Sequence, residues 1–329
     1  MEAYKLITSK GLTRQDLVDG NRRISSVEKP VSSIESDLVE ELKREMNIVI
    51  KLSKQPVKKP VVVGYDNTIA LLPGQYDRFP TVSMGHFFLA DTLSNESCVR
   101  KAKSLVDLGC GCGFSGNYAA KNFEGLKNGR VIFGDLFPES INAALNAYLL
   151  NNGLSRDNVD ISKTEHGLLM VNDQNDQLVE FKEGDVKSTM RRCTEKFIGP
   201  DNRTHKYDPS QVDVAVASPI YIPEICEVFP QAFALFGEVS KNLGADFYVT
   251  HSSLADKVVE EAAKQTGAHL TDINSRKFAL DLSTTDSRKN RSLNEEIVEK
   301  LRPLGLITEI NGANVQYGHQ LRVSKMSYK

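Results

Sequence analysis

The sequence predicts an α/β protein with a doubly wound, mostly parallel sheet and helices on both faces. Two observations support this prediction. From Leu105 to Gly267, short apolar segments alternate with helical patterns, which is typical of parallel strands joined by crossover helices. The first apolar segment also runs directly into a glycine-rich turn, Gly109–Gly113, followed by a helical pattern. A strand, a glycine turn and a helix in this order form a ligand-binding turn in many α/β folds.

The first part of the chain, residues 1–75, is predicted to be a cap or association region. Apolar residues recur at four-residue steps from Ile34 to Ile50 and indicate a helix with one apolar face. Val61–Leu72 reads as a pair of extended apolar segments with a turn between them. The apolar helix face must pack on the sheet domain or on a second subunit. We therefore expect a domain boundary near residue 75, a catalytic domain over 76–329, and a homodimer as one use of the N-terminal region.

The remaining elements follow the alternating pattern. The segment between residues 155 and 177 is a long connection, and a polar stretch near 284–302 predicts a helix with a charged face. In chain order we predict a helix in TVSMGHFFLADTL, a strand in LVDLG, a helix in SGNYAAKNF, a strand in RVIFGD, a helix in PESINAALNAYLLNNG, strands in LVEFKEGD and VDVAVASP, a helix in QAFALFGEVSKNLG, a strand in ADFYVTHSS, a helix in ADKVVEEAAKQTG, and last strands in HLTDINSRKFALDL and LITEINGANVQYGHQLRVSKM.

Composition limits the classes of partner. The 329 residues are 40% hydrophobic with a formal net charge of −2, so no overall positive charge attracts nucleic acid or an anionic membrane. The N-terminus lacks the apolar core of a signal peptide, and no apolar run is long enough to span a bilayer. The five cysteines are scattered and odd in number, so they predict reduced packing residues rather than a disulfide framework. We expect a cytoplasmic protein without a membrane partner, and the charge balance disfavours a nucleic acid as partner.

The glycine turn is the first candidate site. Glycine permits positive φ angles and close approach of a ligand to the backbone, and the helix that follows offers unpaired N–H groups. Cys110 and Cys112 occupy the variable positions of the turn, and no second Cys or His pair stands at ligand spacing nearby. We interpret the two cysteines as small packing residues and the turn as a cofactor site.

The segment DLGCGCG resembles the first motif of class I S-adenosylmethionine (SAM) methyltransferases, which have a Rossmann-like fold. The resemblance implies that SAM binds at Asp107, Gly109, Gly111 and Gly113. It extends to acids at the ends of the next two strands, in VIFGD and VEFKEGD. In that family the first acid holds the ribose hydroxyls and the second contacts the adenine amine. The resemblance thus adds three cofactor-binding residues, which are Asp135, Leu136 and Asp185.

The segment VDVAVASPIYIP is similar to the D-x-x-x-x-N-P-P-Y segment of the HemK-type glutamine and adenine-amine methyltransferases. Here Ser218 stands at the position of the family's Asn, and Ser-Pro-Ile-Tyr replaces Asn-Pro-Pro-Tyr. A serine hydroxyl is shorter than the amide and cannot reproduce its reach. The resemblance makes Ser218 and Tyr221 candidate catalytic residues, with Ser218 also beside the cofactor. Tyr76, in a segment where the family has a lid, is a third candidate because an aromatic face favours a cationic sulfonium.

These observations leave three reactions open. Methyl transfer to a small-molecule nucleophile, such as one derived from an amino acid or a secondary metabolite, is the favoured interpretation and implies a role in biosynthesis. SAM can alternatively be attacked at its methionine γ-carbon, including cyclisation to azetidine-2-carboxylate. The HemK-type resemblance alone implies methylation of a protein glutamine or an RNA adenine.

Overall fold

The computed structural model describes a discontinuous part of the chain. The described residues are 61–65, 67–72, 84–156, 159, 161–164, 167–187, 197–198, 204–205, 212–219, 229–281, 307–310 and 314–328. The predicted helices at 34–50 and 284–302, and the candidates Tyr76 and Tyr221, lie outside these residues.

Except for the short helix Ser97–Arg100, which the sequence did not predict, the described helices begin and end close to the predicted positions. They are α1 (Met84–Asn95), α2 (Ser97–Arg100), α3 (Phe114–Asn122), α4 (Pro138–Asn151), α5 (Phe229–Leu243) and α6 (Asp256–Thr266). None of the helices in the described part of the chain combines the length and apolar character needed to cross a bilayer.

The predicted strands also occur in the predicted order, and four strands that the sequence did not predict are added between residues 161 and 205. The described strands are β1 (Val61–Tyr65), β2 (Thr68–Leu72), β3 (Ser104–Leu108), β4 (Arg130–Asp135), β5 (Ile161–Thr164), β6 (Gly167–Asn172), β7 (Gln177–Glu183), β8 (Phe197–Ile198), β9 (Thr204–His205), β10 (Val214–Ala217), β11 (Asp246–Ser252), β12 (His269–Asp281), β13 (Ile307–Ile310) and β14 (Asn314–Ser327).

One sheet holds most of these strands, in the order β12-β14-β11-β10-β3-β4-β7-β6-β5, with β13 paired to β14. The five central strands are parallel to one another, and they are β7, β4, β3, β10 and β11 in sheet order. The chain first adds β4 and β7 on one side of β3 and then returns to add β10 and β11 on the other side. The predicted α/β class and doubly wound sheet are confirmed. Ligands of such sheets bind where the strand order reverses, which is here between β3 and β10.

Antiparallel strands extend both edges of the central sheet. On one side β14 pairs with β11 and β12 pairs with β14, so the predicted last strands are confirmed. On the other side β5 and β6 form a hairpin that adds to β7. This hairpin lies in the segment 155–177, for which the sequence predicted only a long connection.

Two apolar cores cover the two faces of the sheet, as predicted. One contains residues of α1, α3 and α4, and the other contains residues of α5 and α6. Successive residues of β3 alternate between them, with Leu105 in the first core and Val106 and Leu108 in the second. Burial on both faces explains why this strand reads as a continuous apolar run rather than an alternating one.

A third layer lies over the first core. The hairpin of β1 and β2 packs on the outer side of α3 and α4, and Ala70 of this hairpin belongs to the first core. Every residue of α4 from Ser140 to Asn151 is buried, and the contacts of this helix include β2, α3, β4 and β7. The predicted hairpin at 61–72 is confirmed, whereas the domain boundary near residue 75 stays a prediction.

Candidate functional site

A glycine turn joins β3 to α3 at the point where the strand order reverses. Gly109, Gly111 and Gly113 have φ angles of 63°, 55° and 70°, in the left-handed region that other residues adopt only with strain. The Cys110 N–H donates to the Gly134 carbonyl at 2.9 Å and ties the turn to the end of β4. The predicted need for glycine in this turn is confirmed.

Gly113 and Gly111 meet different surroundings. A Cβ atom on Gly113 would lie 2.5 Å from the Ala144 Cβ and 2.9 Å from its Cα, so the close packing of α3 on α4 requires glycine. At Gly111 a Cβ atom would meet no described atom within 4 Å. The backbone of Gly111 is therefore open to close approach by a ligand, while the other end of the turn is held by packing.

Asp135 ends β4 beside this turn. Its Oδ2 accepts a hydrogen bond from the Gly111 N–H at 2.8 Å, and its Oδ1 accepts one from the Phe137 N–H at 2.9 Å. Burial raises the pKa of Asp135 to about 6, although the backbone bonds from Phe137 and Gly111 and a side-chain bond from Ser140 act to lower it. Because each carboxylate oxygen can accept more than one hydrogen bond, the oriented carboxylate keeps acceptor capacity for a ligand.

Asp107 lies within β3, beneath the turn. Its side chain is buried, and its Oδ2 accepts a hydrogen bond from the Gly116 N–H in the first turn of α3 at 2.8 Å. Burial is the main cause that raises the pKa of Asp107 to about 7; the Gly116 bond lowers it and the charge of Asp135 raises it. Asp107 thus links β3 to the start of α3, and its ionisation lies near neutral pH.

The two cysteines of the turn are buried free thiols. Burial raises the pKa of Cys112 to about 12 and the pKa of Cys110 well above its ordinary value. A thiol acts as a nucleophile or a metal ligand only as thiolate. Cys110 and Cys112 therefore stay protonated and belong to the first apolar core.

Leu136 and Asp185 lie at the same edge of the sheet as Asp135. In the parallel register Asp135 stands opposite Glu183, and the Gly184 N–H donates to the Asp135 carbonyl at 2.9 Å. Asp185 comes two residues after Glu183 and Leu136 directly follows Asp135, and both are half-buried. The structure thus places the ends of β4 and β7 next to each other, as the sequence predicted.

Ser218 lies at the end of β10, on the other side of the reversal point. The parallel register places Val216 opposite Asp107, so Ser218 comes at the same edge as the glycine turn and is half-buried there. The structure brings Ser218 to the turn, whereas Tyr76 and Tyr221 lie outside the described residues and stay predictions.

Phe236 is a site residue that the sequence analysis missed. Its ring lies against the turn, with Cζ 3.1 Å from the position that a Cβ atom on Gly109 would occupy. It is half-buried and packs against the second core, which contains Leu108 and Val186. The sequence carried one signal for it, because the phenylalanines at 229, 233 and 236 recur at helical spacing and predict one apolar face.

A second polar cluster, called here the His251 network, joins α6 to the strands β11, β12 and β14. His251 Nε2 lies 2.8 Å from Ser324 Oγ, and His251 Nδ1 lies 3.5 Å from Asp256 Oδ1. Ser324 Oγ donates to Asp272 Oδ1 at 2.7 Å. Arg322 bridges the two acids, at 3.3 Å from Asp256 and 2.8 Å from Asp272. The network contains Ser, His and Asp side chains, but Ser324 is fully buried.

No family model and no curated protein sequence matches this chain. Solved structures with a similar fold include the YcgJ protein from Bacillus subtilis, at 13% identity and a TM-score of 0.44, over 74% of this chain and 99% of that one. A SAM-dependent methyltransferase from Agrobacterium tumefaciens matches at 11% identity and 0.43, over 84% and 72% of the two chains.

A third similar structure is the magnesium protoporphyrin IX methyltransferase from Synechocystis PCC 6803 with bound SAM. It matches at 8% identity with a TM-score of 0.35, over 94% of this chain and 91% of that one. Since all three TM-scores lie below 0.5, the function argued below rests on the geometry of this chain.

Proposed function

We propose that this chain binds SAM at the glycine turn and transfers its methyl group to a small-molecule nucleophile. The observation that carries the proposal is the carboxylate of Asp135, held by two backbone N–H groups beside the open backbone of Gly111. A carboxylate with free acceptor capacity suits the two adjacent hydroxyls of a ribose. The opening at Gly111 suits a ligand that lies along the turn.

The residues at the edge of the sheet fit the other parts of SAM. We expect Asp185, two residues after β7, to accept a hydrogen bond from the adenine amine, and Leu136 to offer an apolar side chain to the cofactor. We expect Ser218, directly after β10, to orient the nucleophile. When bound, SAM supplies a methyl carbon that its sulfonium has already activated.

The protein itself then needs to align the nucleophile, exclude water and hold the cofactor. Alignment of this kind accounts for about 7–11 kcal/mol of a reaction barrier. Two features favour a small acceptor over a macromolecule. The hydroxyl of Ser218 is too short to replace the amide that grips a planar amine in the HemK-type enzymes. The formal net charge of −2 also gives no general attraction to RNA.

The first experiment tests cofactor binding. Replacing Asp135→Ala should weaken SAM binding at least tenfold by calorimetry, because a hydrogen bond to a charged group contributes roughly 1.5–3 kcal/mol. Asp246→Ala is the matched control. Asp246 is the first residue of β11, at the strand ends away from the glycine turn, and its carboxylate pairs with Lys325. We expect the SAM affinity of Asp246→Ala to equal that of the wild type. Equal affinity of a folded Asp135→Ala variant would remove Asp135 from the cofactor site.

The second experiment identifies the reaction and the acceptor. The pure protein is incubated with methyl-labelled SAM, alone and with cell extract, and the products are separated by ultrafiltration. We expect S-adenosylhomocysteine, with the transferred label in the small-molecule fraction. Methylthioadenosine would instead indicate attack at the methionine γ-carbon. Label retained with protein or RNA would assign a macromolecular acceptor.

A further inference from the structure

The hairpin of β1 and β2 holds the far end of α3 through asparagine side chains. Asn122 is the last residue of α3, and its Oδ1 accepts a hydrogen bond from Asn67 Nδ2 at 2.7 Å. Asn122 Nδ2 donates to the Thr68 hydroxyl at 3.3 Å and to the Tyr118 carbonyl at 2.9 Å. Lys121 Nζ donates to the Asn67 carbonyl next to it. Several directional polar bonds therefore fix the hairpin to this helix end.

The same hairpin holds the far end of α4. Asn151 is the last residue of α4, and its side-chain amide forms hydrogen bonds with both the N–H and the carbonyl of Ile69. The Ile69 N–H donates to Asn151 Oδ1 at 2.7 Å, and Asn151 Nδ2 donates to the Ile69 carbonyl at 2.8 Å. Asn151 is buried, so losing either bond leaves a polar group without water. The amide occupies the place that a neighbouring strand would take beside β2.

The start of α3 meets the middle of α4 beside the proposed cofactor site. α3 begins directly after Gly113, which packs on Ala144, halfway along α4. The Asn117 side chain donates to the carbonyls of both Gly113 and Ala144, at 2.8 and 3.2 Å. The bond from the Gly111 N–H to Asp135 joins the segments that precede α3 and α4. The hairpin thus holds the last residues of both helices, while the site holds the start of α3, the middle of α4 and the segment before α4.

We infer that the hairpin of β1 and β2 is a brace for the cofactor site, with Asn122 and Asn151 as its positioning residues. The brace sets the spacing of α3 and α4, and this spacing keeps the Gly111 N–H within bonding distance of Asp135. The role in cofactor binding rests on the proposed function. The effect of the brace on the bond between Gly111 and Asp135 is present in the protein without SAM and can be measured without a ligand.

The first test measures amide hydrogen exchange at Gly111 in the full chain without SAM. Asn151→Leu has a side chain of similar size and removes both bonds to Ile69. We expect Gly111 exchange to become about tenfold faster, because the segment opens locally more often. The matched control is Asp213→Ala, which also removes two bonds from one side chain to backbone, to Lys103 and Ser104. These bonds lie where β3 and β10 begin, at the strand ends away from the glycine turn, so we expect unchanged exchange at Gly111.

The second test measures SAM binding by calorimetry at a temperature where all variants are folded. We expect Asn151→Leu to weaken binding about fivefold and Asp213→Ala to leave it unchanged, since only the first alters the site. In an Asp135→Asn background the effect of Asn151→Leu should fall below about twofold, because coupled residues are not additive. A residue that only stabilises the fold would give the same loss in both backgrounds.

The outcomes separate the two proposals. The brace is wrong if the Gly111 amide exchanges in Asn151→Leu at the wild-type rate. It is also wrong if Asn151→Leu changes this exchange rate no more than Asp213→Ala does. If exchange responds but wild-type protein does not bind SAM, the brace stands and the proposed cofactor is wrong. If Asn151→Leu does not fold, Asn122→Ala removes the bonds at the partly exposed end of α3, and we expect the same changes with a smaller size. Wild-type exchange in a folded Asn122→Ala would then overturn the inference.

Discussion

The glycine turn and the His251 network are both polar clusters, yet they use their hydrogen-bonding groups differently. The turn keeps acceptor capacity for a ligand, whereas the network directs its bonds to other side chains of the protein. At the turn, Gly111 meets no described atom where a side chain would stand, and Asp135 keeps acceptor capacity beside it. In the His251 network, the proton of Ser324 goes to Asp272. A hydroxyl has only one proton, so His251 Nε2 must donate to Ser324 rather than accept from it.

This difference distinguishes the candidate ligand site from a structural network. Ser, His and Asp side chains in contact suggest a hydrolase triad by residue type alone, but a nucleophilic serine must give its proton to the histidine and must reach a substrate. Ser324 does neither, since it donates to Asp272 and is fully buried. The direction of the bonds and the access to the site therefore decide function, and the residue types do not.

The largest expected effect is on the free energy of unfolding, when a side chain is added at a closely packed position of the turn rather than at an open one. Gly113→Ala places a Cβ atom against Ala144 and requires an unfavourable φ. We expect a loss of roughly 2–4 kcal/mol in the free energy of unfolding, from overpacking plus backbone strain. Gly111→Ala is the matched variant, with positive φ but open space, and should lose only about 1 kcal/mol. Denaturant unfolding measures both losses, and equal losses would contradict the contrast.

The next effect concerns pH. The folded-state pKa of Asp107 is raised to about 7 from 3.8, so the folded protein keeps a proton that the unfolded chain has lost. The free energy of unfolding therefore falls as pH rises from about 4 to about 7. Asp107→Asn should show a flatter fall over this range in denaturant titrations. The opposite sign holds for Asp272, because its bond to Ser324 lowers its pKa and its contribution is lost as pH falls.

The smallest expected effect breaks the His251 network. Ser324→Ala removes the hydrogen bond between His251 Nε2 and Ser324 Oγ and the main cause that lowers the pKa of Asp272. We expect a loss of about 1–3 kcal/mol in the free energy of unfolding and an unchanged SAM affinity. Thermal unfolding and calorimetry on the same sample measure the two quantities. A large loss of SAM affinity in a folded variant would place the network in the site and remove the distinction.

Much of the fold was predictable because its signals are local. The order of strands and helices, the turn at Gly109–Gly113, the acid at the end of β4 and the acid after β7 each depend on a few neighbouring residues. The parallel arrangement then brings these strand ends to one edge, as it must in such a sheet.

The missed features depend on partners that are distant in the sequence. The hairpin of β5 and β6 is recognisable only by its pairing with β7, and Phe236 joins the site only because α5 packs over Gly109. Asn151 is a helix residue by its local pattern, and nothing near it indicates that Ile69 is its partner. Such contacts follow from the assembled layers rather than from periodicity.

The complete burial of α4 has a consequence for the order of folding. This helix packs against β2 of the hairpin, and the bonds between Ile69 and Asn151 close a loop of 82 residues. Closing a long loop costs entropy before its contacts repay it, so contacts of this kind form late. The hairpin leaves the ribosome before α4 does, yet it finds its position only after α4 has been made and packed on the sheet.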